Sequence, residues 1–182
     1  MATTTKPDEV SLLEHLDMSQ INCLNEQPDH DFKSIVASKN INLPESSTYL
    51  ASDADGQLLI NIHFNQAVRI RKLVVRSKVP DNGPKTLKLL INKPAIDFVD
   101  VDGVADSQFS QVLELSKADI TEGKPIALRF VRFQSVNSLH IFVESNHYGD
   151  GDEEETRIDA IDLLGTPVEA TKDLSGLRQE EH

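Results

Sequence analysis

The sequence predicts an all-β protein, a β-sandwich with one or two short helices. Three observations lead to this prediction. Apolar and polar residues alternate with a period of two through the middle of the chain, turn-forming residues separate the alternating segments, and helical periodicity is rare. About seven or eight short strands of this kind are typical of a sandwich, whose loops and edges are left for function.

The predicted helices come from two capping patterns. Ser11 and Glu14 have the spacing of a capping box, which predicts a short helix over residues 12–17. Ser116 and Asp119 repeat the pattern before a segment long enough for one helical turn. Helix is therefore expected to be a minor component.

The clearest predicted strand covers residues 58–64, where the apolar residues occupy even positions and His63 lies on the polar face. The apolar residues then move from even positions to odd ones, at Leu73 and Val75, which predicts a bulge near Arg71 and Lys72. Further strands are predicted at 87–91, 126–130, 139–143 and 158–164. The connections include a predicted turn with positive-φ residues at 80–84 and a strand end at 92–94.

Length and charge limit the classes of function. The chain has 182 residues, which suits one domain, expected over 11–167 between polar tails at 1–10 and 168–182. The 18 Lys and Arg against 30 Asp and Glu give a formal net charge of −12, so nucleic acid and membranes are not expected as partners. A start without an apolar segment and a single cysteine favour the cytoplasm or the nucleus.

The titratable side chains give no pattern typical of an enzyme or of a metal site within the chain. Cys23 has no second cysteine and is expected to be a small buried residue. No two histidines have ligand spacing, and His63 and His140 are expected to be solvated on the polar faces of their strands. The glycine motifs of hydrolases, phosphate loops and dinucleotide sites are missing from the sequence.

Charged segments are the remaining candidates. The acidic segments 53–56, 97–103 and 150–155 offer oxygen ligands for calcium, or are solvated loops that dock on a basic partner. A basic cluster along one predicted strand either deters strand pairing or meets an acidic partner, and its first two residues are expected to face solvent. Its members are Arg69, Arg71, Lys72, Arg76 and Lys78.

Many short motifs, in the same order and with similar gaps, resemble those of the PITH domain family over about residues 10–172. They are Asn22–Glu26, Asp53–Ile60, Phe64–Gln66, Pro84–Lys85 with Ile91–Asn92, Asp97–Phe98, Val131–Gln134, Ser138–Val143, Glu155–Ile158 and Gly165–Pro167. The segment from Gly165 to Thr171 and the terminal His182 are more similar to members that carry a thioredoxin domain than to stand-alone ones.

This resemblance implies a jelly-roll β-sandwich like the galactose-binding domains, without catalytic activity and without a cofactor. It implies docking onto the regulatory particle of the 26S proteasome, by a module normally attached to a thioredoxin domain that is absent from this sequence. A calcium- or carbohydrate-binding sandwich is the alternative, although aromatic residues make up only 5% of the chain and Trp is lacking. Charged flanks on the edge strands favour a monomer.

The partner-binding residues are expected in the acidic loop and at the chain end. The loop candidates are Asp150, Asp152, Glu153, Glu154 and Glu155. Such a loop acts by long-range steering toward a basic or metal-bearing surface. His182 carries an imidazole and a carboxylate, so it is a candidate ligand to a zinc ion held by the partner, the alternative being a tail that makes no contact.

Overall fold

The computed structural model describes residues 9–149 and 154–168, which contain ten antiparallel strands and two short α-helices. The helices are α1 (Phe32–Val36) and α2 (Lys117–Glu122). The strands are β1 (Val10–Ser11), β2 (Asn22–Leu24), β3 (Leu50–Ala51), β4 (Leu58–Arg76), β5 (Pro84–Ile91), β6 (Gln111–Glu114), β7 (Ile126–Ala127), β8 (Val136–Asn146), β9 (Arg157–Ile158) and β10 (Ala160–Pro167). The predicted all-β class is confirmed.

The long strand β4 belongs to both layers of the sandwich. Its first part, from Leu58 to His63, pairs with β2 and β8, and β8 continues the layer through β5 to β6. Its second part, from Val68 to Arg76, pairs with β10, which continues to β1, and with β7 on the other side. The short β3 and β9 form a separate pair.

The predicted bulge lies at Arg71. In the ladder between β4 and β10, Leu164 pairs with Lys72 and Gly165 pairs with Ile70, so Arg71 is the extra residue. As a result, Val68 and Ile70 before the bulge and Leu73 and Val75 after it all belong to one core. The predicted bulge, with inward-facing apolar residues on either side of it, is therefore confirmed.

One core joins the apolar faces of the two layers. Both parts of β4 contribute to it, as do β5, β8, β10 and the segment that follows β1. Helix α1 and the loop residue Phe133 also belong to it. Its largest fully buried side chains include Phe32, Phe133, Leu12 and Leu16. Each such side chain contributes about 1.5–3 kcal/mol by leaving water, which offsets the cost of ordering the chain.

A second, smaller apolar cluster covers the outer face of the first layer. Leu59 and Phe142 point outward from β4 and β8 and are buried by Val101 and Phe109 of the connection between β5 and β6. Lys88 fastens this connection to the sheet, because its Nζ lies 2.9 Å from both Asp106 Oδ1 and Glu144 Oε2. The expectation of a half-buried strand at 58–64 was therefore wrong for Leu59 and Asn61, which are both buried.

The two capping predictions had opposite outcomes. The capping box predicted at α2 is confirmed, because the side chains of Ser116 and Asp119 each accept a hydrogen bond from the other residue's backbone amide. Gly123 ends this helix in the left-handed conformation, with a φ of 66°. The helix predicted over 12–17 was wrong: a 3₁₀ turn covers only Leu13–His15. Ser11 lies in β1 instead, and its Oγ donates to Asp162 Oδ1 at 2.6 Å.

Two other local predictions were corrected. The segment 80–84 forms a 3₁₀ turn without positive φ, and a Cβ added at Gly83 would come within 2.2 Å of Ile120 Cδ1, so packing explains this glycine. The strand predicted at 126–130 ends after Ala127, and Phe130 begins a 3₁₀ turn. Among the described residues, no helix is both long and apolar enough to cross a membrane.

Candidate functional site

The described end of the acidic loop, at Glu154 and Glu155, is bonded to buried polar side chains between β8 and β9. Asn146 Nδ2 donates to the carbonyl of Glu154 at 3.0 Å and to Thr156 Oγ1 at 3.0 Å, and Thr156 Oγ1 donates to the carbonyl of Gly56 at 2.5 Å. Asn146 and Thr156 are both buried. A Cβ at Gly56 would lie 2.9 Å from Asn146 Nδ2 and from the Glu154 carbonyl, so only glycine fits this close approach.

Contacts from neighbouring segments fix the second half of the loop. Asn82 Nδ2 donates to the carbonyl of Glu155 at 2.8 Å, and Gln27 Nε2 donates to Glu155 Oε1 at 2.7 Å. Glu154 and Glu155 are exposed. The structure thus holds the backbone of the loop end, with the Glu154 side chain exposed and the exposed Glu155 side chain bonded to Gln27 through one oxygen.

An aromatic stack lies directly after the loop. The centres of the His30 and Tyr49 rings are 3.9 Å apart. The guanidinium of Arg157 lies 3.7 Å from the centre of the ring of Tyr49, the residue directly before β3. Arg157 also pairs with the buried Asp159 at 3.0 Å. The stack joins β3, β9 and the loop that precedes α1, which stiffens this end of the sandwich.

In the other acidic segments, several carboxylates bond backbone amides or neighbouring side chains. Asp55 Oδ1 accepts from Asn25 Nδ2 at 2.9 Å and from the Gln57 amide at 2.9 Å. Asp97 and Asp100 form the capping box of a 3₁₀ turn at Phe98–Asp100. Within residues 9–149 and 154–168, no three or more His, Cys, Asp or Glu side chains form a cluster able to hold a metal ion.

Of the predicted site residues, only Glu154 and Glu155 lie in the described part of the chain. Asp150, Asp152, Glu153 and His182 lie outside the described residues. The sequence identified the charges of this loop but not the base that holds it. The side chains of Asn82, Asn146 and Thr156 form that base. In the sequence these three polar residues look the same as ordinary surface residues.

Two titratable side chains, Cys23 and His140, are buried within the fold, away from the acidic loop. Cys23 is buried as predicted, and burial followed by the charge of Glu26 raises the pKa of its thiol well above its usual value. His140 was predicted to be solvated, which is wrong: it is 1% exposed. Its Nδ1 lies 2.7 Å from Asn61 Oδ1 and its Nε2 lies 3.1 Å from Ser138 Oγ, and burial lowers its pKa to about 4.

The basic cluster on β4 is less exposed than predicted. Arg69 and Arg71 are half-buried, and the Arg71 guanidinium lies 5.0 Å from the centre of the Phe130 ring. Phe130 was predicted inside a strand, yet it lies in a 3₁₀ turn with Val131, and these side chains are 48% and 77% exposed. This surface could not be predicted from sequence because Arg71 and Phe130 meet only in the folded chain.

Comparisons with known proteins agree with this architecture. A search of protein families matches the PITH domain over residues 2–182. The chain is 38% identical over 152 residues to "Thioredoxin-like protein 1" of Schizosaccharomyces pombe, an alignment covering 82% of this chain and 49% of that protein. It is 32% identical to "PITH domain-containing protein CG6153" of Drosophila melanogaster, covering 89% and 72%. The chain therefore spans about half the length of the yeast relative.

Solved structures with little sequence identity share the fold. The family 32 CBM from C. perfringens NanJ in complex with galactose has a TM-score of 0.57 at 5% identity, covering 86% of this chain and 98% of that one. CpGH89CBM32-5 from Clostridium perfringens has a TM-score of 0.55 at 10% identity, covering 85% and 99%. These similarities confirm the predicted jelly-roll fold of the β-sandwich. By the family match and the identity to its relatives, the chain belongs to the PITH domain family.

Proposed function

We propose that this chain is a non-catalytic protein-interaction module that docks onto the regulatory particle of the 26S proteasome, in the cytoplasm or the nucleus. Membership of the PITH domain family, over residues 2–182, is the observation that carries the proposal. Similarity to a protein named "Thioredoxin-like protein 1" supports a role as one module of a larger assembly.

The acidic loop is the proposed docking element. Its exposed carboxylates, Glu154 and Glu155, stand on a base held by buried hydrogen bonds, so docking does not have to order this end of the loop. Asp150, Asp152 and Glu153 extend the same run of negative charge. Charge of one sign on a fixed base steers association with a basic surface and weakens as salt is raised.

We include His182 in the proposal as a second contact. Its imidazole is a suitable ligand for zinc, and the tail contact would then depend on a metal ion in the partner. A His182→Ala variant should weaken proteasome binding, and a chelator should weaken wild-type binding without affecting the variant further.

The docking proposal is tested with purified 26S proteasome, regulatory particle and 20S core, by sedimentation with the labelled chain. The test variant neutralises Asp150, Asp152, Glu153 and Glu154, and leaves Glu155 because its Oε1 accepts from Gln27. The matched control neutralises four exposed carboxylates elsewhere, Glu14, Glu45, Asp102 and Glu122. We expect binding to the 26S and regulatory particles, about a tenfold loss for the loop variant, and little loss for the control.

Two outcomes would overturn the proposal. One is no binding to the regulatory particle, or equal binding to the 20S core. The other is equal loss for the loop variant and the control, which would indicate a general charge effect. Calorimetric titration with galactose and with calcium tests the alternative, since affinity for either one supports a ligand-binding module instead.

A further inference from the structure

We infer that a second surface, built from Arg71, Arg129, Phe130, Val131 and Arg132, binds an acidic peptide segment of a partner protein that also carries an apolar side chain. This arginine surface is separate from the acidic loop and has the opposite charge. The inference does not depend on the proposed docking of that loop.

The turn that carries this surface is anchored at both ends. Leu128 and Phe133 are buried on either side of it, and the Leu128 amide donates to the Arg71 carbonyl at 2.9 Å. The Ile70 amide donates to the Phe133 carbonyl at 2.9 Å, so both ends bond the same part of β4. The Arg129 amide donates to Gln111 Oε1 at 2.7 Å. The residues between the anchors are therefore held outward on a fixed frame.

Exposed apolar groups and unpaired cations meet on this frame. Val131 is 77% exposed and Phe130 is 48% exposed, with the Arg71 guanidinium over the ring. Across residues 9–149 and 154–168, no salt bridge involves Arg71, Arg129 or Arg132. Arg129 and Arg132 lie on the same turn as Phe130, and Arg71 lies against the Phe130 ring, so three positive charges meet on this surface of a chain with a net charge of −12.

A concave space adjoins the arginines. A shallow cavity of about 400 Å³ lies between the turn and the connection that precedes β6, and Arg129 and Arg132 line it together with Phe109 and Val112. It is large enough for one or two side chains. Carboxylates accept well from guanidinium groups, while Val112 in the lining and the exposed Val131 of the turn suit an aliphatic side chain.

The surroundings favour an acidic peptide over nucleic acid. Two arginines, Arg129 and Arg132, line the cavity, whereas a phosphate backbone needs a longer series of cations. The Asp106 carboxylate in the same lining is already paired with Lys88 at 2.9 Å. Base stacking needs a series of exposed aromatic rings, whereas Val131 is the most exposed apolar residue here and is aliphatic. A peptide with a few carboxylates around an apolar side chain matches both features.

Fluorescence anisotropy tests this inference with a labelled peptide of aspartates and glutamates around a pair of leucines. We expect saturable binding that weakens with added NaCl. Arg129→Glu with Arg132→Glu should weaken it by about tenfold or more, because each reversal replaces attraction by repulsion. The matched control, Lys33→Glu with Lys85→Glu, makes the same change in net charge at exposed sites elsewhere and should stay within about twofold.

Phe130→Ala separates the apolar contribution from the charge. It should weaken binding by about fivefold and leave the salt dependence unchanged. All substituted side chains are exposed, and thermal unfolding followed by circular dichroism checks that each variant folds.

Three results would overturn the inference. Equal weakening by the arginine and lysine variants would show that only net charge matters. Tighter, arginine-dependent binding of a single-stranded RNA would assign the surface to nucleic acid. A gain of tenfold or more in peptide binding after deletion of residues 169–182 would show that the chain's own C-terminal segment occupies the surface.

Discussion

Replacing Thr156 by Val tests the base of the acidic loop, because valine has nearly the same shape but no hydroxyl. In the structure that hydroxyl donates to the Gly56 carbonyl at 2.5 Å and accepts from Asn146 Nδ2 at 3.0 Å, and Thr156 is fully buried. The substitution leaves the Gly56 carbonyl buried without this donor, at a cost of about 1–3 kcal/mol, and removes one further hydrogen bond worth about 1 kcal/mol. We expect a total loss of about 2–4 kcal/mol in the free energy of unfolding.

Thr156→Ser is the matched control, since it keeps the hydroxyl and loses only a methyl group, at about 1 kcal/mol. Urea unfolding followed by far-ultraviolet circular dichroism measures both variants, a suitable probe because the chain has no Trp. If the valine variant is no less stable than the serine variant, the hydroxyl does not hold this base and the reasoning is refuted.

Three further predictions concern stability. Because the folded pKa of His140 is about 4, below its ordinary 6.5, the unfolded state binds more protons between these values, and stability falls as pH falls through this window. The loss is about 2 kcal/mol from pH 7 to 5, and His140→Gln should flatten this part of the profile, whereas an unchanged slope would contradict the assignment. Gly165→Ala should lower the free energy of unfolding by more than about 3 kcal/mol or prevent folding, since its Cβ would lie 1.9 Å from the Arg69 carbonyl oxygen. The control Gly103→Ala has open space around its Cβ but a φ of +73°, and it should lower the free energy of unfolding by only about 1 kcal/mol. Lys88→Ala should make the connection over residues 92–110 more sensitive to limited proteolysis, because Asp106 in this connection loses its ion pair with the sheet. Unchanged cleavage would show that apolar packing alone holds the connection.

The features predicted correctly from sequence are those set by neighbouring residues. The alternation from Leu58 onward, the change of parity at Arg71 and the capping box at Ser116 each depend on a few consecutive side chains. The same local reasoning found the charges of the acidic loop.

The features missed depend on residues far apart in the chain. Ser11 could not be recognised as a strand residue because its partner, Asp162, is 151 positions away. His140 is buried because Asn61 and the Lys93 carbonyl reach it from other segments. In the same way, Leu59 is buried by the connection between β5 and β6, which is far from it in sequence. As a result, the first part of β4 has two apolar faces rather than one.

Cross-linking mass spectrometry of the chain bound to purified 26S proteasome shows which end of the sandwich meets the regulatory particle. Lys85 and Lys117 are exposed at the end of the sandwich that holds the acidic loop, where Lys117 pairs with Asp81 beside Asn82. We expect cross-links from these two lysines to subunits of the regulatory particle. Cross-links that involve only Lys72 and Lys93, or only subunits of the 20S core, would contradict it.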